Sequence, residues 1–143
     1  MSKRARDYGV TVGFRPPGPL NAITDVVGVR VGHSTVWHDD PSVARTGVTA
    51  IRPNDGDIFM ERLAGGAFVL NGAGEMSGLV QVLEWGLIET PILLTSTMSV
   101  GAVSAATVRW MLDHYPTIGK ADDVVIPLVG ECDDSHLNDV SHS

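Results

Sequence analysis
The chain has 143 residues, 43% of them hydrophobic and 19% charged, which is the composition of one folded domain with a core of its own. Its formal charge of −7 leaves no surface suited to nucleic acid or to anionic lipid, since the only basic cluster is "KRAR" at Lys3–Arg6. A single cysteine, Cys132, excludes an internal disulfide framework, and a buried or inert thiol is the expectation for it.

No apolar run is long enough for a membrane span, and the first ten residues lack an export-type apolar segment, so the expected location is the cytoplasm, without a membrane partner. Residues 1–20 carry "RPPGPL" and read as an extended lead-in. From there the β-branched alternation of "ITDVVGVRVGHST" predicts a strand, the polar "VWHDDPSVART" a loop, and "GVTAIRP" at 47–53 a second strand. "GGAFVL", ending at Leu70, predicts a third strand. After the turn "NGAGE", Met76, Leu79, Val80, Leu83 and Leu87 recur at helical spacing.

"PILLT" reads as a buried strand. "STMSV" reads as a turn offering Ser and Thr N-caps, and Val100, Val103, Thr107, Trp110 and Met111 form the inner face of a second helix. A last strand, "DVVIPLV" at 123–129, runs into "GECDDSHLND". Three strands thus end in polar junctions, and in a sheet layered with helices such junctions gather ligands.

The junction residues support more than one chemistry. "GAGEMS" falls short of a dinucleotide fingerprint because Ser77 stands at the third glycine position, and no nucleotide is expected. Glu75 reads either as a first-turn glutamate facing the helix macrodipole or as a carboxylate held for a cationic group such as a substrate ammonium. Asn71 suits a left-handed turn with Gly72, and Asn138 suits a turn, yet an Asn amide also donates to an oxyanion. The clusters His33, His38, Asp39, Asp40 and Glu131, Asp133, Asp134, His136 lack a recognised ligand spacing, so neither a metal nor any other cofactor is expected. No "GxSxG" elbow or local triad signature is present.

Taken in order, "NAITDVVGVRVGHST", "TGVTAIRP", "GGAFVLNGAGEMSGL" and "VGECDDSHLND" resemble the N-terminal part of the DmpA-like aminopeptidases, which include L-aminopeptidase/D-esterases and β-peptidyl aminopeptidases. The resemblance covers Asn21 to Asp139. It implies an α/β (α+β) fold, an αββα sandwich of the DmpA/ornithine-acetyltransferase type similar to N-terminal-nucleophile hydrolases, with residues 21–143 forming part of that domain. It implies a precursor that cuts itself in front of a serine lying in a second, C-terminal β-chain, the freed amine and hydroxyl then serving as base and nucleophile.

By the same resemblance Glu75 is expected to anchor the substrate amine and Asn138 to act catalytically as an oxyanion donor, with Phe68 and Asn71 lining the pocket. The implied substrates are small peptides, amides or esters with a free amino group, and the implied assembly is a homo-oligomer of processed pairs. The ending "LNDVSHS", where the family continues, implies that this chain alone is inactive. At "TSTMSVG" many relatives have a His before the Ser. A non-catalytic subunit that keeps the amine pocket and an N-acetyltransferase of similar architecture are the alternatives.

Overall fold
The computed structural model describes residues 3–140; the outermost residues of the expected lead-in and of the expected domain lie outside that range. A long hairpin opens the sheet: β1 (Arg30–His38) pairs antiparallel with β2 (Ala44–Arg52) in a register running from Arg30↔Arg52 to His38↔Ala44. Gly47 is obligatory here, because a Cβ at that position would stand 2.1 Å from the backbone oxygen of Ser34. Short elements follow: β3 (Leu63–Ala64), β4 (Met76–Ser77), α1 (Leu79–Trp85) and β5 (Leu87–Ile88). Then come β6 (Ile92–Ser96), α2 (Val100–His114) and β7 (Leu128–Cys132).

Five strands form one sheet in the order β1-β2-β6-β7-β4, and β3 pairs with β5 in a separate two-stranded ribbon. β6 and β7 are parallel, a pairing that requires a crossover, and α2 supplies it while packing against both. The helix is held at its C-terminal end. There Met111 is fully buried with Phe59 and Ile118, and Tyr115 and Val125 close the cluster. On its other flank Val103, Thr107 and Trp110 face Val48, Ala50 and Leu93 across a cavity of about 660 Å³.

The second strand, the "PILLT" strand and the second helix stand close to where the sequence puts them. The first strand begins later than expected, since Ile23–Asp25 form a 3-10 turn and Gly28 takes a left-handed φ of 90°. Both hairpin strands extend into the expected loop and leave only residues 39–43 between them. The expected strand "GGAFVL" does not form: residues 67–70 have no ladder partner among the described residues, and Phe68 and Leu70 are exposed. The helix expected from Met76 to Leu87 is cut to seven residues, because Gly78 and Gly86 both adopt left-handed φ and release their neighbours into β4 and β5.

β7 starts at Leu128 rather than Asp123, directly after Pro127, which has no N–H to give to a ladder. The expected Ser/Thr caps are absent: Thr97–Ser99 form a 3-10 turn, and neither it nor α2 has a side-chain cap. Residues 3–20 contain one 3-10 turn, Ala5–Tyr8, and no strand.

Candidate active site
Strand directions bring the three polar junctions to one edge of the sheet. Parallel β6 and β7 both finish there, at Ser96 and Cys132, and antiparallel β2 and β4 both start there, at Ala44 and Met76. The edge carries two hollows. One, of about 310 Å³, is polar and lined by His33, Arg45, Thr49, Ser96, Cys132 and Asp134. The other, of about 510 Å³, is an apolar groove bounded by Glu75, Met76, Gln81, Trp85 and Ile126.

Glu75 sits at the rim of the groove, exposed, immediately before β4 and four positions before α1. A first-turn role at the helix macrodipole therefore falls away. Its backbone is tied to β7 at two points: its N–H donates to Oε1 of Glu131 at 2.8 Å, and its carbonyl accepts the N–H of Glu131 at 3.1 Å. Asn71 is exposed and closes a local turn in which its Oδ1 accepts the N–H of Ala73 at 2.9 Å. Neither it nor Gly72 has a positive φ, so the left-handed turn expected there is replaced by this side-chain bond. Phe68 is 85% exposed and borders neither hollow.

Asn138 is half-buried against the start of β2, where its Oδ1 accepts the backbone N–H of Arg45. Its Nδ2 gives one hydrogen to the carbonyl of Asp134 at 3.0 Å, which leaves the second amide hydrogen for another acceptor. The backbone bond from Asp139 to the carbonyl of Val43 seats the same turn. Arg45 is itself occupied. Its guanidinium lies 4.2 Å from the centre of the Trp37 ring, pairs with Asp39, and donates to the carbonyls of His38 and Ala44. Glu75 and Asn138 thus flank the ends of β6 and β7, one anchored on β7 and the other on β2.

Inside the polar hollow, Ser96 Oγ and Asp134 Oδ1 are shielded from solvent and have no hydrogen-bond partner among the described residues. Two buried oxygens in that condition suit a polar group that enters from outside. His33 Nδ1 lies 2.9 Å from Thr49 Oγ1, while His38 Nδ1 lies 2.8 Å from the carbonyl of Ser42, so the two histidines serve separate strand contacts. No group of three metal-ligating side chains occurs among the described residues. Cys132 is exposed at the strand end, so of the buried or inert thiol expected there the burial does not hold. Hydrogen bonds from Ser135, aided by the charge of His136, hold the Asp133 carboxyl below its usual range.

Sequence spacing missed Glu131 as the partner of Glu75. The signal was a β4–β7 pairing between segments 56 residues apart at Glu75 and Glu131, which no local periodicity records.

The mixed α/β architecture is that of an N-terminal-nucleophile-type hydrolase. The chain is similar to the solved L-aminopeptidase D-Ala-esterase/amidase of Ochrobactrum anthropi, described as a prototype for the serine aminopeptidases and a variant among the Ntn hydrolase fold, with a TM-score of 0.83 at 37% identity. That match covers 97% of this chain and 40% of the other. Residues 21–143 match Peptidase family S58, and the chain belongs to that family. It is also 42% identical over 143 residues to a β-peptidyl aminopeptidase of Sphingosinicella xenopeptidilytica, a match covering 96% of this chain and 35% of the relative. A β-aminopeptidase of a Burkholderia species superposes with a TM-score of 0.88 at 41% identity, over 97% of this chain and 39% of the other. The chain therefore spans well under half the length of each of these relatives.

Proposed function
We propose that this chain is the α-chain, or front part, of a self-processing serine aminopeptidase that releases N-terminal residues from short peptides, amino-acid amides or esters. The relatives are named for aminopeptidase, esterase and amidase activities, which supports the reaction class. The observation that carries the reading is an exposed carboxylate, Glu75, on a backbone fixed at the rim of an apolar groove. Such a group pairs with a free ammonium and leaves its charge unmatched when the amine is acylated, so exopeptidase selectivity follows.

Asn138 is assigned the oxyanion, through its second amide hydrogen. Phe68 and Asn71 are assigned to the pocket wall, to be met there by the rest of the enzyme. The nucleophilic serine and its amine base are assigned to a β-chain of the same precursor, and the processed pairs to a homo-oligomer. Family membership favours neither a binding-only subunit nor an N-acetyltransferase.

The test is hydrolysis by the full-length gene product of an amino-acid p-nitroanilide against its N-acetylated form. Preference for the free amine that is lost in Glu75→Gln supports the assignment; equal rates on both substrates in the unmutated enzyme refute it.

A further inference from the structure
The segment that presents Glu75 has little to hold it. β4 contributes only two paired residues, Met76↔Gly130 and Ser77↔Val129, and upstream of Glu75 stand Gly72 and Gly74, around which even an added Cβ would meet nothing within 4 Å. Two residues facing each other in a closely bonded antiparallel pair exchange both N–H···O=C bonds. At Glu75 and Glu131 only one of the two is made by the backbone, from Glu131 N–H to the Glu75 carbonyl. The Glu75 N–H goes instead to the Glu131 side chain, at 2.8 Å. A carboxylate has taken the place of a main-chain carbonyl and extended the ladder by one residue, with a stronger, charge-assisted bond.

We propose that Glu131 is a positioning residue for the amine-binding site: its carboxylate fixes the backbone of Glu75, and through it the direction in which the Glu75 carboxylate meets the substrate ammonium. This rests on the assignment of Glu75 made above. Without that bond the glycine-rich turn pivots about β4 and the anchor spreads over many orientations, which weakens ground-state and transition-state binding together. Glu131 itself does not touch the substrate.

Two substitutions in the full-length enzyme separate position from charge. Glu131→Gln keeps the length and an acceptor oxygen for the Glu75 N–H but removes the charge. Glu131→Asp keeps the charge but is one methylene too short to reach. With the free-amine p-nitroanilide, Glu131→Asp should raise KM about tenfold with kcat within about twofold, and should lower the preference over the N-acetylated substrate by the same factor. Glu131→Gln should stay within about threefold of the unmutated enzyme on both measures.

The reverse ranking, with Gln impaired and Asp intact, overturns the proposal, because it shows that the charge meets the substrate directly. Wild-type KM and selectivity in both variants overturn it too, provided that Glu75→Gln loses selectivity in the same assay. If Glu75→Gln retains full selectivity, the amine assignment is what fails, and the positioning role falls with it.

Discussion

Glu89 is the buried charge on which the groove wall depends, and Glu89→Ala is the perturbation most directly sized by the structure. The side chain is 5% exposed; Oε2 lies 3.0 Å from Arg62 Nε and Oε1 accepts from Gln81 Nε2 at 2.7 Å. Arg62 adjoins β3, Glu89 adjoins β5, and Gln81 lies on α1 in the wall of the Glu75 groove, so one carboxylate joins three elements. Removing one member of a buried pair costs about 3–5 kcal/mol. Because the Arg62 side chain is 31% exposed and water can reach part of it, the low end applies, about 3 kcal/mol.

The assay is amide hydrogen exchange at Gly65 and in the β3–β5 ribbon of the full-length protein, which reads local opening directly. About 3 kcal/mol corresponds to exchange roughly 10²-fold faster. The double substitution Arg62→Met with Glu89→Leu, which removes both charges and keeps volume, should recover most of that protection. Acceleration of less than about threefold in Glu89→Ala, or a double variant as exposed as the single, would refute the assignment of Glu89 as the charged tie between ribbon and helix.

Met111→Ala should lower stability by about 3 kcal/mol, since Met111 is fully buried against Phe59 and Ile118; denaturant unfolding of the full-length protein checks this. Asn138→Ala should reduce kcat by about 10²–10³ with little change in KM, and slow self-cleavage in parallel, as steady-state kinetics and gel analysis of processing would show. Ser135→Ala should raise the Asp133 pKa, because Ser135 is the main cause of its depression, and carboxyl NMR titration measures it. The sign follows from linkage: a folded-state pKa below the unfolded value stabilises above the unfolded pKa and is lost as pH falls through the folded one. Residues 1–143 produced alone should show no turnover, bind apolar dyes and self-associate, since Trp37, Phe68, Leu70 and Val80 stand 71%, 85%, 83% and 75% exposed. A monodisperse, cooperatively unfolding monomer in sedimentation and melting experiments would contradict this.

What the sequence revealed depended on how local each pattern was. β2, β6 and α2 were legible because alternation, an unbroken apolar run and a Thr107/Met111 stripe arise from the segment itself. The stretch from Gly65 to Leu87 was not. Its helical spacing from Met76 to Leu87 foretold α1 but not its ends, which turned on the left-handed φ of Gly78 and Gly86, and the strands on either side rest on partners far along the chain. Glu75 and Asn138 could be singled out, by resemblance to a family. Their surroundings could not: Glu131 reaches Glu75, and the Arg45 backbone reaches Asn138, only after β7 has joined the sheet. The exposure of Cys132 has the same origin, since it lies at the very end of that strand.

That late joining sets an order of events during synthesis. The β1–β2 hairpin closes across a five-residue turn at 39–43 and can form as soon as it leaves the ribosome. Glu75 cannot be fixed in this way, because the residue that holds it lies 56 positions further on. At roughly 5–20 residues per second, translation leaves the Glu75 backbone N–H waiting about 3–10 s for the Glu131 carboxylate. For that interval the backbone N–H of Glu75 lacks its acceptor, and the groove rim stays unassembled while the β1–β2 hairpin is already closed. Distance along the polypeptide serves here as a timer.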